Sequence, residues 1–198
     1  MKHPAALAAF LFIALPPAFA QSKGSCTKPI AIDAQPGVSL TIESISSEID
    51  IVGTDQPGVR ISCTLPDGED PERVSLRAER TGDFAKIQVS GGQMHNLHVR
   101  IEVPQKTGFR LRMAAGQVKV NDVSGDKDID LHAGQVIVDQ VDSKQYHSLR
   151  ASVEIGDVRA PAFGADKGGF FREINKDVAG GPYRLRVHVM TGSVELNN

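Results

Sequence analysis

The chain has no tryptophan, and aromatic residues make up only 5% of its 198 residues. Clefts or nucleic-acid platforms built on stacked rings therefore have little to draw on. Lysine and arginine number 22 against 24 aspartates and glutamates, a formal net charge of −2. Nucleic-acid binders carry a clear basic excess, so nucleic acid is excluded as a main partner. There are just two cysteines, Cys26 and Cys63, and no Cys-x-x-Cys spacing, which argues against a redox pair or a zinc site. Helical periodicity is missing almost everywhere. The longest apolar run, Ala5 to Leu15, is about half of the ~20 residues a membrane helix needs. Hydrophobic residues at 40% and charged residues at 23% are nevertheless those of a folded chain.

What is present begins with an export leader. Lys2 and His3 give a short positive start, the apolar run follows, Pro16-Pro17 breaks any helix, and Ala18-Phe19-Ala20 offers small residues at −3 and −1 of a cleavage site. Residues 1–20 read as a signal peptide, with cleavage between Ala20 and Gln21. A buried N-terminal helix is the alternative. Gln21 rather than cysteine follows the cut, which argues against lipidation. The mature chain has no membrane span, and its destination is the periplasm or the medium. In an exported chain an even cysteine count reads as one disulfide, Cys26–Cys63, closing a loop of about 38 residues worth roughly 4 kcal/mol in the chain-entropy model. Two buried free thiols are the alternative, because Cys63 lies in phase with Val59 and Ile61.

Period-two alternation of β-branched residues runs from Val38 to Leu196, punctuated by Gly, Asp, Pro and Ser, which predicts an all-β protein. The second half repeats. Ala115-Gly116-Gln117-Val118 recurs 18 residues on as Ala133-Gly134-Gln135-Val136, with weaker copies around Gly156 and Gly192. Aligned on the glycine, the positions two and four after it and three and five before it are apolar in every copy. Strand-like repeats near this length suggest a β-solenoid with Gly116, Gly134, Gly156 and Gly192 at corners where a Cβ is not tolerated. An antiparallel β-sandwich or meander is the alternative. The long interval between Gly156 and Gly192 is expected to hold a degenerate coil, with Phe170-Phe171 as an aromatic plug over the core; a hydrophobic contact for a partner or ligand is the alternative for this pair.

Ser46-Ser47-Glu48-Ile49-Asp50-Ile51-Val52-Gly53, then Val99-Arg100-Ile101-Glu102-Val103-Pro104, the Gly-x-Val-x-Val units and the closing Thr191-Gly192-Ser193-Val194-Glu195-Leu196 come in an order that resembles the bacterial putative-adhesin β-solenoid family. The resemblance covers roughly residues 38–198. It implies a right-handed, parallel β-helix-like fold in a bacterial exported protein, and no catalytic residues. The expected organisation is thus a leader over 1–20, an N-terminal segment over 21–37 belonging to a less regular β region, and one β-solenoid domain over 38–198.

Chemistry is harder to find. Asp126, Asp128 and Asp130 alternate on one strand face, but an EF-hand loop starting at Asp126 would need Gly and Glu where Leu131 and Ile137 stand. The aligned repeat places Arg110, Asp128, Arg150 and Arg186 at one position and Arg112, Asp130, Ser152 and His188 at another, all facing solvent. Arg110–Asp128–Arg150 and Arg112–Asp130 therefore read as charge ladders between stacked coils. His95, His98, His132, His147 and His188 lack ligand spacing. Ser25-x-x-Lys28 lacks its companion motifs, and no nucleophile–base pair is evident. No catalytic residue, cofactor or metal is expected. The leading expectation is a non-enzymatic exported protein that presents a rigid β-solenoid surface as an adhesin or envelope interaction protein, its partner an envelope or surface protein or a glycan. The alternatives are a polysaccharide-active β-helix enzyme, for which two carboxylates ~5–9.5 Å apart would be required, and a periplasmic structural or assembly accessory.

Overall fold

The structure, a computed structural model, describes residues 20–34, 37–91, 97–177 and 179–198, with the backbone alone for residues 20 and 167–170. Apart from Ala20, the expected leader lies outside the described residues, as does His95. The alternating segments become strands: β1 (Ala20–Gly24), β2 (Ile30–Ile32), β3 (Ser39–Thr54), β4 (Val59–Thr64), β5 (Val74–Thr81), β6 (Phe84–Gly91), β7 (His98–Pro104), β8 (Gly108–Asn121), β9 (Lys127–Val138), β10 (Tyr146–Ala160), β11 (Ala165–Asp177) and β12 (Tyr183–Leu196). Three single-turn 3-10 segments, Pro71–Arg73, Ser143–Gln145 and Pro161–Phe163, are the remaining regular elements among the described residues. The chain is all-β, as the alternation predicts, and its strands form one mixed sheet.

Five long strands run parallel in the order β3-β8-β9-β12-β10. Their register places Ser47, Gly116, Gly134, Gly192 and Gly156 side by side. Burial changes parity at this column. In β8, Phe109, Leu111 and Met113 are buried before the glycine, and Val118 and Val120 after it. A flat strand would put these two sets on opposite faces. Both instead join one apolar cluster, so the strand turns there. The four glycines adopt φ values from +128° to +141°, a region that L side chains avoid. A Cβ on Gly134 would land on the carbonyl oxygen of Gly116, and one on Gly192 on that of Gly134.

The first half of the chain is less regular. β3 takes β6 in parallel along its first half and β7 along its second, with β8 on its other edge. β5 pairs antiparallel with β6, β1 with β5, β4 with β7 and β2 with β4. Residues of the expected N-terminal segment thus supply strands of the common sheet. Cys26, in the turn after β1, is bonded to Cys63 of β4 (S–S 2.04 Å).

Three expectations fail here. The interval between Gly156 and Gly192 holds no degenerate coil: β11 folds back antiparallel on β10 through Pro161–Phe163. The last strand, β12, inserts between β9 and β10, so Arg150 stacks against Arg186 and not against Asp128. Phe171 is 81% exposed and plugs nothing; the Phe170 side chain lies outside the described residues. The ring cluster that does close the core, Tyr146 with Phe163 and Tyr183 at centroid distances of 6.5 and 6.3 Å, is assembled from β10, β12 and the turn between β10 and β11.

Candidate functional site

Alternation turns every second residue of the parallel strands outward, and register lines those residues up. One such row runs straight across six strands: Lys86, Thr41, Arg110, Asp128, Arg186 and Arg150. Neighbours in the row are ~4.8 Å apart at the backbone. Asp128 is its hub. It accepts from Arg110 at 2.9 Å and Arg112 at 3.3 Å, and Arg186 lies at 3.8 Å. Burial alone would raise this carboxyl, but the hydrogen bonds and charges of Arg112, Arg110 and Arg186 outweigh it and hold the group below its usual value. The Arg112–Asp130 pair stands at 3.8 Å, as the ladder reading expects. Arg150 reaches instead for Asp177 at 3.9 Å, an aspartate whose side chain is 79% exposed.

All of the row but Lys86 lines a groove of ≈ 850 Å³. Arg184 enters it beside Asp126, whose carboxylate accepts from both the Arg184 backbone N–H (2.7 Å) and its guanidinium (3.4 Å). All three aspartates of the Asp126-x-Asp128-x-Asp130 triplet are therefore held by arginines, which occupy the place a cation would need. The groove also touches Lys127, a side chain that is only 2% exposed. Lys127 sits in register with Phe109 and Leu185, an apolar position. Its Nζ donates to the Gly125 carbonyl at 3.2 Å and to the Tyr146 hydroxyl, and lies 4.8 Å from the centre of the Tyr146 ring. Burial pushes this ammonium down to about 7, against the pull of Asp126. Burial likewise raises the Tyr146 hydroxyl. Sequence reading missed both residues; the one available signal was a lysine seven residues before Gly134, where Phe109, Leu149 and Leu185 precede their own glycines, among charges that looked like an ordinary solvated run.

No family model matches the chain, and no curated protein matches it. A crystal structure does. It is that of a putative cell adhesion protein from Clostridium sporogenes, superimposing with a TM-score of 0.55 at 12% identity over 86% of this chain and 98% of that one. At that identity the likeness is one of fold.

Two further constellations lie outside the groove. On the outer face of the second strand halves, ligand-type atoms of Glu48, Asp50 and His98 fall within 4.8 Å of one another. The sequence spacing of the histidines did not reveal this, because β3 and β7 are brought together by register. Its members already have partners: His98 Nε2 bonds Asp50 at 2.9 Å and Lys119 holds Glu48 at 3.0 Å, which raises the lysine and leaves Asp50 Oδ1 buried without a hydrogen bond. The second constellation corrects the expectation that no nucleophile–base pair exists. Ser152 Oγ lies 3.0 Å from His188 Nδ1, and His188 Nε2 lies 3.8 Å from Glu154. Ser152, however, sits between β12 and β11 in continuous register. The backbone N–H groups that would stabilise an oxyanion are committed to the sheet.

Proposed function

We propose that this is an exported, non-enzymatic interaction protein, an adhesin or envelope protein of the putative-adhesin type, whose parallel strands form a β-solenoid that presents the outer groove to a surface molecule. One observation carries the reading: a row of side chains, all charged but Thr41, stands at strand spacing on a backbone locked by a glycine column. Such a scaffold holds its outward groups in place before a partner arrives, which lowers the entropy cost of binding.

The solenoid reading has a geometric basis. β8 has 14 residues, about 43 Å if straight. The connection from Asn121 to Lys127 can reach at most about 21 Å, yet Lys127 begins β9 beside Phe109. The strand must double back at Gly116 for the chain to close that distance, as a coil does. A right-handed turn is the hand that twisted strands favour in parallel connections. The leader expected over residues 1–20 and the disulfide support export, and the C. sporogenes neighbour is itself described as a putative cell adhesion protein.

The Ser152–His188–Glu154 arrangement favours a second reading, a hydrolase. Its absent backbone oxyanion donors count against it. The test is retention of the mature protein on envelope fractions and immobilised glycans, alongside a panel of ester and polysaccharide substrates. Retention without turnover is the expected result. Turnover that disappears in Ser152→Ala while the fold survives would establish the enzyme reading instead.

A further inference from the structure

Resting on the interaction reading, we propose that the groove binds an acidic polysaccharide, with a sugar carboxylate seated between Arg150 and Arg186. These two residues are direct register neighbours on adjacent parallel strands. Like charges placed so close repel, and the protein compensates them poorly. Arg186 shares the single carboxylate of Asp128 with Arg110 and Arg112. Among the described residues, Arg150 has one ion pair, the 3.9 Å contact with exposed Asp177. Lys106 also lines the groove, and among the described residues it has no ion pair. An arrangement that is strained when empty gains most when an anion arrives, and paired guanidiniums offer a carboxylate two forked donors.

The surroundings select the class of anion. A densely charged polyphosphate laid along the row would meet Asp128 in its middle and Glu43 and Asp130 in the row beside it. An acidic glycan carries hydroxyl donors beside its carboxylates, which a polyphosphate lacks. Its hydroxyls can donate to Asp126 and Asp128 and exchange hydrogen bonds with Ser39, Thr41 and Ser148, all of which line the groove. Phe84, 70% exposed, lines the groove and offers apolar surface on which a pyranose can pack.

Oligogalacturonate is the probe, with its fully methyl-esterified form and a single-stranded DNA oligomer of similar length as comparators, titrated against the purified protein by calorimetry. Oligogalacturonate should bind, and the neutral ester and the DNA at least tenfold more weakly. Arg150→Ala with Arg186→Ala should weaken oligogalacturonate at least tenfold without lowering the melting temperature, since it removes a repulsion. Arg60→Ala with Arg159→Ala removes the same charge outside the groove and should leave binding unchanged. The proposal is overturned if the ester binds as well as the acid, if DNA binds more tightly, or if the two double variants behave alike. Retention on envelope fractions that survives Arg150→Ala with Arg186→Ala would overturn the groove assignment while leaving the interaction reading intact.

Discussion

A buried lysine is the least expected residue in this protein. Lys127 is in register with Phe109 and Leu185 and lies against the Tyr146 ring, and the charge of Asp126 acts on it. Its folded value of about 7 lies below the ordinary 10.5. The unfolded chain therefore holds one more proton than the native one between those two values. Stability should rise with pH from about 7 towards 10. Below 7 both states are protonated, and the cost of the buried ammonium is fully present. Lys127→Met keeps the length and apolar volume and removes the charge. It is expected to raise the melting temperature at pH 6–7 and to flatten the rise between pH 7 and 9.5. Melts of both proteins across that range decide the matter; an equal loss at every pH would show that the lysine acts through its hydrogen bonds to Gly125 and Tyr146 alone.

Among the elements, the glycine column sets the limits on change. Gly134 has a glycine on each side, so an alanine there meets the Gly116 backbone and also needs a φ of +135°. Gly134→Ala should destabilise by about 3 kcal/mol or more, as strain at a special φ is joined by overpacking. Gly164→Ala is the control. Its φ of +62° carries the conformational penalty, but its Cβ meets nothing within 4 Å, and about 1 kcal/mol is expected. Denaturant titrations of the two variants separate close backbone approach from conformation. Similar losses would show that φ alone matters. The column was legible in the sequence because each glycine stands at the same offset from four apolar positions. Ser47, its fifth member, was visible only as part of the Ser46-Ser47 opening, since serine carries no such signature.

For the whole molecule, the disulfide ties the first strands to the sheet. Cys26 follows β1, and Cys63 lies in β4, which reaches the parallel strands through β7. Without the bond, β1 and β2 hold by short antiparallel pairings to β5 and β4. Protein recovered from the export compartment should have a mass that begins at Gln21 and is two hydrogens lighter than the reduced chain, with no thiol open to alkylation. Reduction should lower the unfolding free energy by about 2–4 kcal/mol. A mass retaining residues 1–20 would remove the export argument; an unchanged melt after reduction would show that the N-terminal strands contribute little to global stability.

Local chemistry was enough to determine the strands, the pairing of two cysteines, the outward face of the charges and the glycine positions. Each follows from side-chain period, residue type or conformational freedom within a few residues. The order of the strands was not determined in that way. Arg150 and Arg186 occupy the same place relative to their glycines, and either strand could lie against Asp128 with the same apolar and charge match. Tertiary closure broke the tie. Asn197 at the end of β12 exchanges backbone hydrogen bonds with Val138 and Val141, and its side chain donates to Asp139. Chain reversal after Ala160 gives the free edge of β10 to β11. The juxtaposition of two arginines, the burial of Lys127 under Tyr146 and the meeting of Ser152 with His188 all follow from that order. They join residues far apart in the chain, and no local period can report such a contact.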